Sequence, residues 1–151
     1  ERTFAPEGTV TREQFAKMLC SVMGYDLVNE KLPYTDVDEN AWYAPYAAAA
    51  VRNQVIYGTD SVTFGVGMPI TRQDLCVVLW RALGSEEIED GTNFTDSEAI
   101  SDYASEAVTY MSAFGIINGY DDGTFRPKDY CTRAQCAKIL CTILNMKGLS
   151  Q

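Results

Sequence analysis

A threonine–arginine pair occurs three times at near-equal intervals, as Thr11-Arg12, Thr71-Arg72 and Thr132-Arg133, with steps of 60 and then 61 residues. Each pair stands just before an apolar pattern of helical period. The threonines therefore read as N-caps, whose side-chain oxygen takes an amide that the first turn leaves unpaired. Three residues further on come Gln14, Asp74 and Gln135. The two glutamines complete reciprocal capping boxes, and the shorter Asp74 caps less reciprocally. Capping does not explain the arginines. A cation in the first turn faces the positive end of the helix macrodipole, which costs about 0.3–1 kcal/mol. Free amides, the dipole and a guanidinium fork can instead converge on one carboxylate ligand. The structural alternative is a salt bridge from each arginine to Asp36 or Asp96. The two readings are compatible, because an aspartate can orient the guanidinium.

Other chemistries are poorly supplied. The chain has no histidine, which removes Ser-His-Asp and Cys-His catalysis and most zinc sites together. Its five cysteines, Cys20, Cys76, Cys131, Cys136 and Cys141, form no CxxC pair and read mostly as reduced packing residues, although spacing does not exclude one disulfide. A net charge of -9 argues against nucleic acid as a partner and against general attraction to an anionic polymer. Any anion site must be local, built from a few placed groups working against the global field. Asp36-x-Asp38-x-Asn40 imitates the opening of a calcium loop, but Ala41 stands where the glycine is required and Ala47 where the glutamate is. Metals and cofactors are therefore not expected. Asp121-Asp122-Gly123 reads as a turn, and nothing places a pair of carboxylates on rigid facing elements for glycoside hydrolysis. Asn93-Phe94-Thr95 fits a glycosylation sequon, yet Phe94 is more simply a buried aromatic.

The elements that position the Thr-Arg pairs come from an internal repeat. Thr3-Phe4 precedes the first pair, Thr63-Phe64 the second and Thr124-Phe125 the third. Tyr34-Thr35-Asp36 matches Phe94-Thr95-Asp96, Trp42 matches Tyr103, and Ile56-Tyr57-Gly58 matches Ile117-Asn118-Gly119. Each full repeat reads as helix, loop, helix. First helices are expected at roughly 41–54 and 102–114, with Pro45 tolerated only in an opening turn. Second helices should start at each Thr-Arg and end near Gly24, Gly84 and Asn145. Their apolar stripe is Phe15, Leu75 and Cys136, then Leu19, Leu79 and Leu140, then Val22, Ala82 and Ile143. Cys20 and Cys141 fall where the middle repeat has Trp80, which favours packing over redox roles. The boundaries are 4–28 for the second half of the first repeat, 34–84 for the second repeat and 94–145 for the third. The half preceding the first segment should lie upstream in a longer chain, unless the protein has two and a half repeats or another chain completes the bundle. The longest apolar stretches are too short to span a bilayer, so no membrane insertion is expected. No export signal opens the sequence; if the protein is exported, that signal lies outside these residues.

These motifs resemble the S-layer homology family. Gly115 to Pro127 closely reproduce its Gly-Ile-Ile-x-Gly-Tyr-x-Asp-Gly-x-Phe-x-Pro stretch. Its Ile-Thr-Arg-Ala-Glu signature appears as Val10 to Gln14, Ile70 to Asp74 and Cys131 to Gln135, without the final glutamate in any repeat. The resemblance implies an all-α fold of helix-loop-helix repeats packed as a pseudo-threefold bundle, here with an incomplete first repeat. It also implies inter-repeat grooves that hold secondary cell-wall polysaccharide, often pyruvylated, with the signature arginines contacting the acid. The middle repeat departs from the family at Tyr57 to Val62, where a weakened or altered loop and groove are expected.

The chain is thus read as a non-enzymatic, extracellular anchoring module at the bacterial cell surface. Its partner is expected to be bacterial cell-wall polysaccharide, bound through Arg12, Arg72 and Arg133. Supporting roles fall to the caps Thr71 and Thr132, the loop residues Asp36, Asp96, Gly58 and Gly119, and the aromatics Trp42 and Tyr103. Trp42 is weighted toward core packing, because a tryptophan buries so much area. The competing reading is protein–protein assembly, with the arginines in structural salt bridges. Further expectations are that more than half the chain is helical, and that Leu19, Leu79 and Leu140 line a common axis. An exposed apolar flank should lie beside the Arg12 helix, covered by a second copy of the chain, a rearranged terminus or the upstream half-repeat.

Overall fold

A computed structural model of the protein describes residues 5–85, 87–88, 91 and 93–149. Thr3 and Phe4, which open the first repeat segment, lie outside the described residues. Five helices carry the fold: α1 at Arg12–Met23, α2 at Ala44–Arg52, α3 at Arg72–Ala82, α4 at Ser105–Ala113 and α5 at Arg133–Leu149. Two short 3-10 turns, Ser97–Ala99 and Asp102–Ala104, precede α4. The described residues contain isolated β-bridges but no sheet. The protein is all-α, as expected.

The helical share is lower than expected. First helices of nine residues replace the longer ones read from the sequence, and less than half of the described residues are helical. Pro45 does sit in the opening turn of α2. The residues before it form separate turns, because Asp38 and its neighbours hydrogen-bond locally instead of extending the helix. At the other end, α5 runs beyond Asn145 to Leu149 and takes in Gly148.

α2 packs on α1, and α4 packs on α3, so each first helix lies against the second helix of the preceding repeat. The apolar stripe faces inward. Phe15, Leu75, Cys136, Leu19, Leu79, Leu140 and Ile143 are buried, while Val22 and Ala82 pack at the edge of the core.

The repeats close on themselves through the extended residues just before each second helix. Ile70 N–H donates to the Val10 carbonyl (2.9 Å), Val10 N–H to Cys131 (3.0 Å), and Cys131 N–H to Ile70 (3.1 Å). All three residues are buried, so each polar group must find a partner inside the protein. The ring satisfies them and creates a pseudo-threefold junction from which α1, α3 and α5 depart.

The five cysteines are free thiols. Cys20, Cys76, Cys131 and Cys136 are buried, and burial pushes the Cys20 thiol up to about 11. Cys141 is exposed, against the packing role expected from its match to Trp80. It lies on the side of α5 facing an open groove, so nothing covers it.

Candidate functional site

The site begins with the helix starts. Thr71 Oγ accepts the Asp74 amide at 3.2 Å and donates to Asp74 Oδ2 at 2.7 Å. At Thr132 the box is reciprocal: Gln135 N–H donates to Thr132 Oγ, and Thr132 N–H to Gln135 Oε1. At Thr11 the box is also present, with Thr11 N–H donating to Gln14 Oε1 at 3.2 Å and Thr11 Oγ facing the Gln14 amide in a contact looser than a hydrogen bond.

Other amides of the first turns go to carbonyls of a neighbouring repeat. Arg12 N–H donates to Met68, Arg72 to Asp129, Gln73 to Pro127, Arg133 to Gly8 and Ala134 to Pro6. These helix starts therefore hold the repeats together: the first amide of each, and the second of α3 and α5, already have partners. The guanidinium groups are what remains to meet a ligand.

Those groups take a shared geometry. Arg12 Nε donates to the Phe64 carbonyl (3.0 Å) and Nη2 to the Tyr57 carbonyl (2.6 Å). Arg72 Nε donates to Phe125 (2.8 Å) and Nη2 to Asn118 (2.9 Å). Arg12 and Arg72 thus each donate to two carbonyls of the following loop, which offsets the unfavourable dipole at their helix starts. The Arg72 guanidinium is also covered by Tyr120 and Phe125, with its carbon 4.8 and 4.7 Å from their centroids, and the residue is buried. Arg12 is half-buried; burial lowers its pKa, partly offset by the attraction of Asp74. Arg133 is exposed.

Asp36 and Asp96 do not pair with the arginines. Asp36 accepts the amides of Phe64, Gly65 and Val66 at 2.7–2.8 Å, and Asp96 those of Phe125 and Arg126. The carboxylate oxygens are engaged by these backbone donors, and neither aspartate forms an ion pair with Arg12 or Arg72 among the described residues. Gly58 and Gly119 lie beneath the same loops. A Cβ on Gly58 would come within 2.5 Å of Tyr34 and two carbonyls, and one on Gly119 within 2.6 Å of Phe94. They belong to the loop scaffold that presents carbonyls to Arg12 and Arg72.

The middle loop keeps its form despite its divergent sequence. Thr59 N–H donates to the Thr63 carbonyl as Tyr120 N–H does to Thr124, both at 2.8 Å. Asp60 Oδ1 accepts the amides of Val62 and Thr63, which holds the turn that Gly123 forms in the third repeat. The expected weakening is not seen.

Three inter-repeat recesses follow from the pseudo-threefold. The first, about 340 Å3, brings together Arg12, the loop at Tyr57 to Thr59, one face of α3 and Tyr103. The second, about 200 Å3, contains Arg72, the loop at 115–120 and one face of α5. The third is an open groove of about 1000 Å3 between α1 and α5, with Arg133, Lys17 and Trp42. Tyr103 and Trp42 occupy matching places in the first and third. They are 59% and 53% exposed, so Trp42 is not the core residue its size suggested. Its ring packs edge-on against Tyr43 and lies 5.3 Å from the Lys17 ammonium. Asp74, Tyr57 and Arg81 also line the first recess. Their convergence was not read from the sequence, because only the junction between repeats brings the Arg12 helix start beside α3. Tyr103 Oη donates to Asp74 Oδ1 at 2.6 Å, and burial together with this bond pushes the phenol up to about 12.

Residues 33–76 and 93–137 match the sequence model of the S-layer homology domain. An amylopullulanase of Thermoanaerobacterium thermosulfurigenes is 31% identical over 150 residues, which cover 96% of this chain and 8% of that protein. An exoglucanase of Acetivibrio thermocellus is 32% identical over 146 residues, 93% of this chain and 13% of the relative. A cellulosome-anchoring protein of Acetivibrio thermocellus is 28% identical over 145 residues, 91% of this chain and 32% of the relative. The chain spans less than a third of each of these three relatives.

Proposed function

Because the chain belongs to the S-layer homology domain family, we propose that it is a non-enzymatic anchoring module that holds a larger protein to the bacterial cell wall, outside the cell. Its ligand in this reading is an acidic, pyruvylated secondary wall polysaccharide. The binding residues are Arg12, Arg72 and Arg133, with Trp42 and Tyr103 offering faces for sugar rings. Thr71 and Thr132 fix the helix starts, and Asp36, Asp96, Gly58 and Gly119 shape the loops. The relative named as cellulosome-anchoring supports the coarse role.

The observation that carries the finer reading is the held guanidinium. Arg12 is fixed at two carbonyls and still lines an open recess beside an exposed aromatic. A cation preorganised in this way binds a carboxylate without first losing its own side-chain freedom. In a chain of net charge -9, such a local site gives selectivity that bulk electrostatics would oppose.

The test is sedimentation of the chain with wall sacculi carrying their secondary polymer, against sacculi stripped of it. Binding should require the polymer and should be lost in a folded Arg12→Ala/Arg72→Ala/Arg133→Ala variant. Equal binding by that variant would favour the second reading, protein–protein assembly, for which the open groove between α1 and α5 speaks.

A further inference from the structure

Two guanidinium groups meet at Tyr57. Its carbonyl accepts Arg12 Nη2 at 2.6 Å, and its ring centroid lies 4.7 Å from Arg81 Cζ. One residue therefore places both cations, the first through its backbone and the second through the negative face of its ring. Both line the same recess of about 340 Å3. The carboxylate in that recess, Asp74, has one oxygen engaged by the Thr71 hydroxyl and the other by the Tyr103 hydroxyl. Asp74 attracts Arg12 and offsets part of the charge, but with two guanidinium groups and one carboxylate the recess lining stays net positive, which favours an incoming anion.

The repeat itself does not require Arg81. The equivalent positions are Ser21 in α1 and Thr142 in α5, both uncharged. Those helices carry Lys17 and Lys138 one turn earlier, where α3 has Val77. The second cation of α3 is thus displaced by a turn, to a place where Tyr57 can meet it. A basic residue in a last helical turn also favours the dipole, but that effect does not call for a ring beneath the guanidinium.

We propose that Arg81 is a second binding residue of the Arg12 recess, and that the Arg12–Tyr57–Arg81 arrangement makes this recess selective for a saccharide bearing a carboxylate. The inference rests on the anchoring reading above and deepens it. One carboxylate oxygen meets Arg12, which is already fixed. The other meets Arg81, which Tyr57 holds at the mouth of the recess. The recess of Arg72 lacks this arrangement, because Thr142 takes the place of Arg81 there and its other cation, Lys138, stands one turn earlier.

The experiment is calorimetry on the full chain with a pyruvyl-ketal glycoside of an amino sugar, and with the same glycoside lacking the ketal. Arg81→Thr installs the α5 residue and should lower affinity for the acidic glycoside about tenfold, the scale of one charge-assisted hydrogen bond. Affinity for the neutral glycoside should not change. Arg81→Lys keeps the charge and the helix, and should restore only part of the loss because it lacks the planar fork. Tyr57→Ala, which keeps the carbonyl but removes the ring, should weaken acidic binding in the same direction. If the parent binds the acidic glycoside and both Arg81 variants bind it equally well, the Arg81 assignment is overturned while the anchoring reading stands. If the parent does not discriminate the two glycosides, the acidic-ligand reading falls and the Arg81 assignment falls with it.

Discussion

Asp36 Oδ1 accepts the Phe64 amide at 2.7 Å, and the Phe64 carbonyl in turn accepts Arg12 Nε at 3.0 Å. The carboxylate that opens the second repeat thus fixes the peptide that receives the arginine of the first. Asp96, Phe125 and Arg72 repeat the relay one unit later. The aspartate and the arginine are coupled through a backbone and not through an ion pair.

This coupling should be pH-dependent. Burial raises the Asp36 carboxyl, but the amides of Phe64, Val66 and Gly65 outweigh it and hold it below the usual carboxylate range. A group whose folded pKa is depressed contributes stability above its unfolded value and loses it as pH falls through the folded value. Asp36→Ala should therefore cost about 1–3 kcal/mol near neutrality, and less below the ordinary carboxylate range. Urea unfolding of parent and variant at pH 7 and pH 3 measures the difference; a cost independent of pH would contradict the amide cradle.

The loop glycines should resist even one methyl group. Gly119→Ala would drive a Cβ to 2.6 Å from the Phe94 ring and 2.7 Å from the Thr124 carbonyl. Overpacking of this kind typically costs about 1–3 kcal/mol, and thermal melts should register it. At Gly148, by contrast, nothing lies within 4 Å, and alanine should be tolerated in α5. Equal melting temperatures for both variants would show that the loop yields.

Trp42 and Tyr103 should separate stability from binding. Both are largely exposed, so Trp42→Ala should leave the melting temperature nearly unchanged. Loss of a ring face should still weaken polysaccharide binding by roughly three- to tenfold, on the scale of a stacking contact. A variant that melts early but binds normally would return Trp42 to a packing role.

The open flank makes a different prediction. α1 and α3 are each covered by a first helix, whereas α5 turns Cys141 and Leu144 toward the groove shared with α1. We expect this face to be covered by a second copy of the chain or by an upstream half-repeat. Sedimentation velocity should show self-association that Leu144→Glu abolishes, or that added upstream residues replace. A monomer at every concentration, unchanged by such an extension, would leave the flank without an occupant.

Structure is most legible in the sequence where a local rule and the repeat agree. The Thr-x-x-Gln boxes, the inward stripe from Phe15 to Ile143 and the opening-turn Pro45 all follow from period and capping. What escaped were relations across repeats. No spacing rule reveals that Arg12 reaches Tyr57, that helix-start amides are used by neighbouring carbonyls, or that Asp36 faces amides and not arginine. Trp42 and Cys141 were misplaced for one reason: residue size and repeat position give average burial, while exposure here depends on which neighbouring helix covers each side.

In the anchoring role proposed above, the module must also bear load. The ring formed by Val10, Ile70 and Cys131 joins the three repeat units at one junction, with each residue holding the next. Tension entering at one end of the chain therefore cannot peel away a single repeat as it would the last unit of an open stack. It must strain the junction, where three hydrogen bonds of 2.9–3.1 Å share the pull. Domains built this way should yield in one abrupt step under traction, and the cargo would remain attached until the whole clasp gives way.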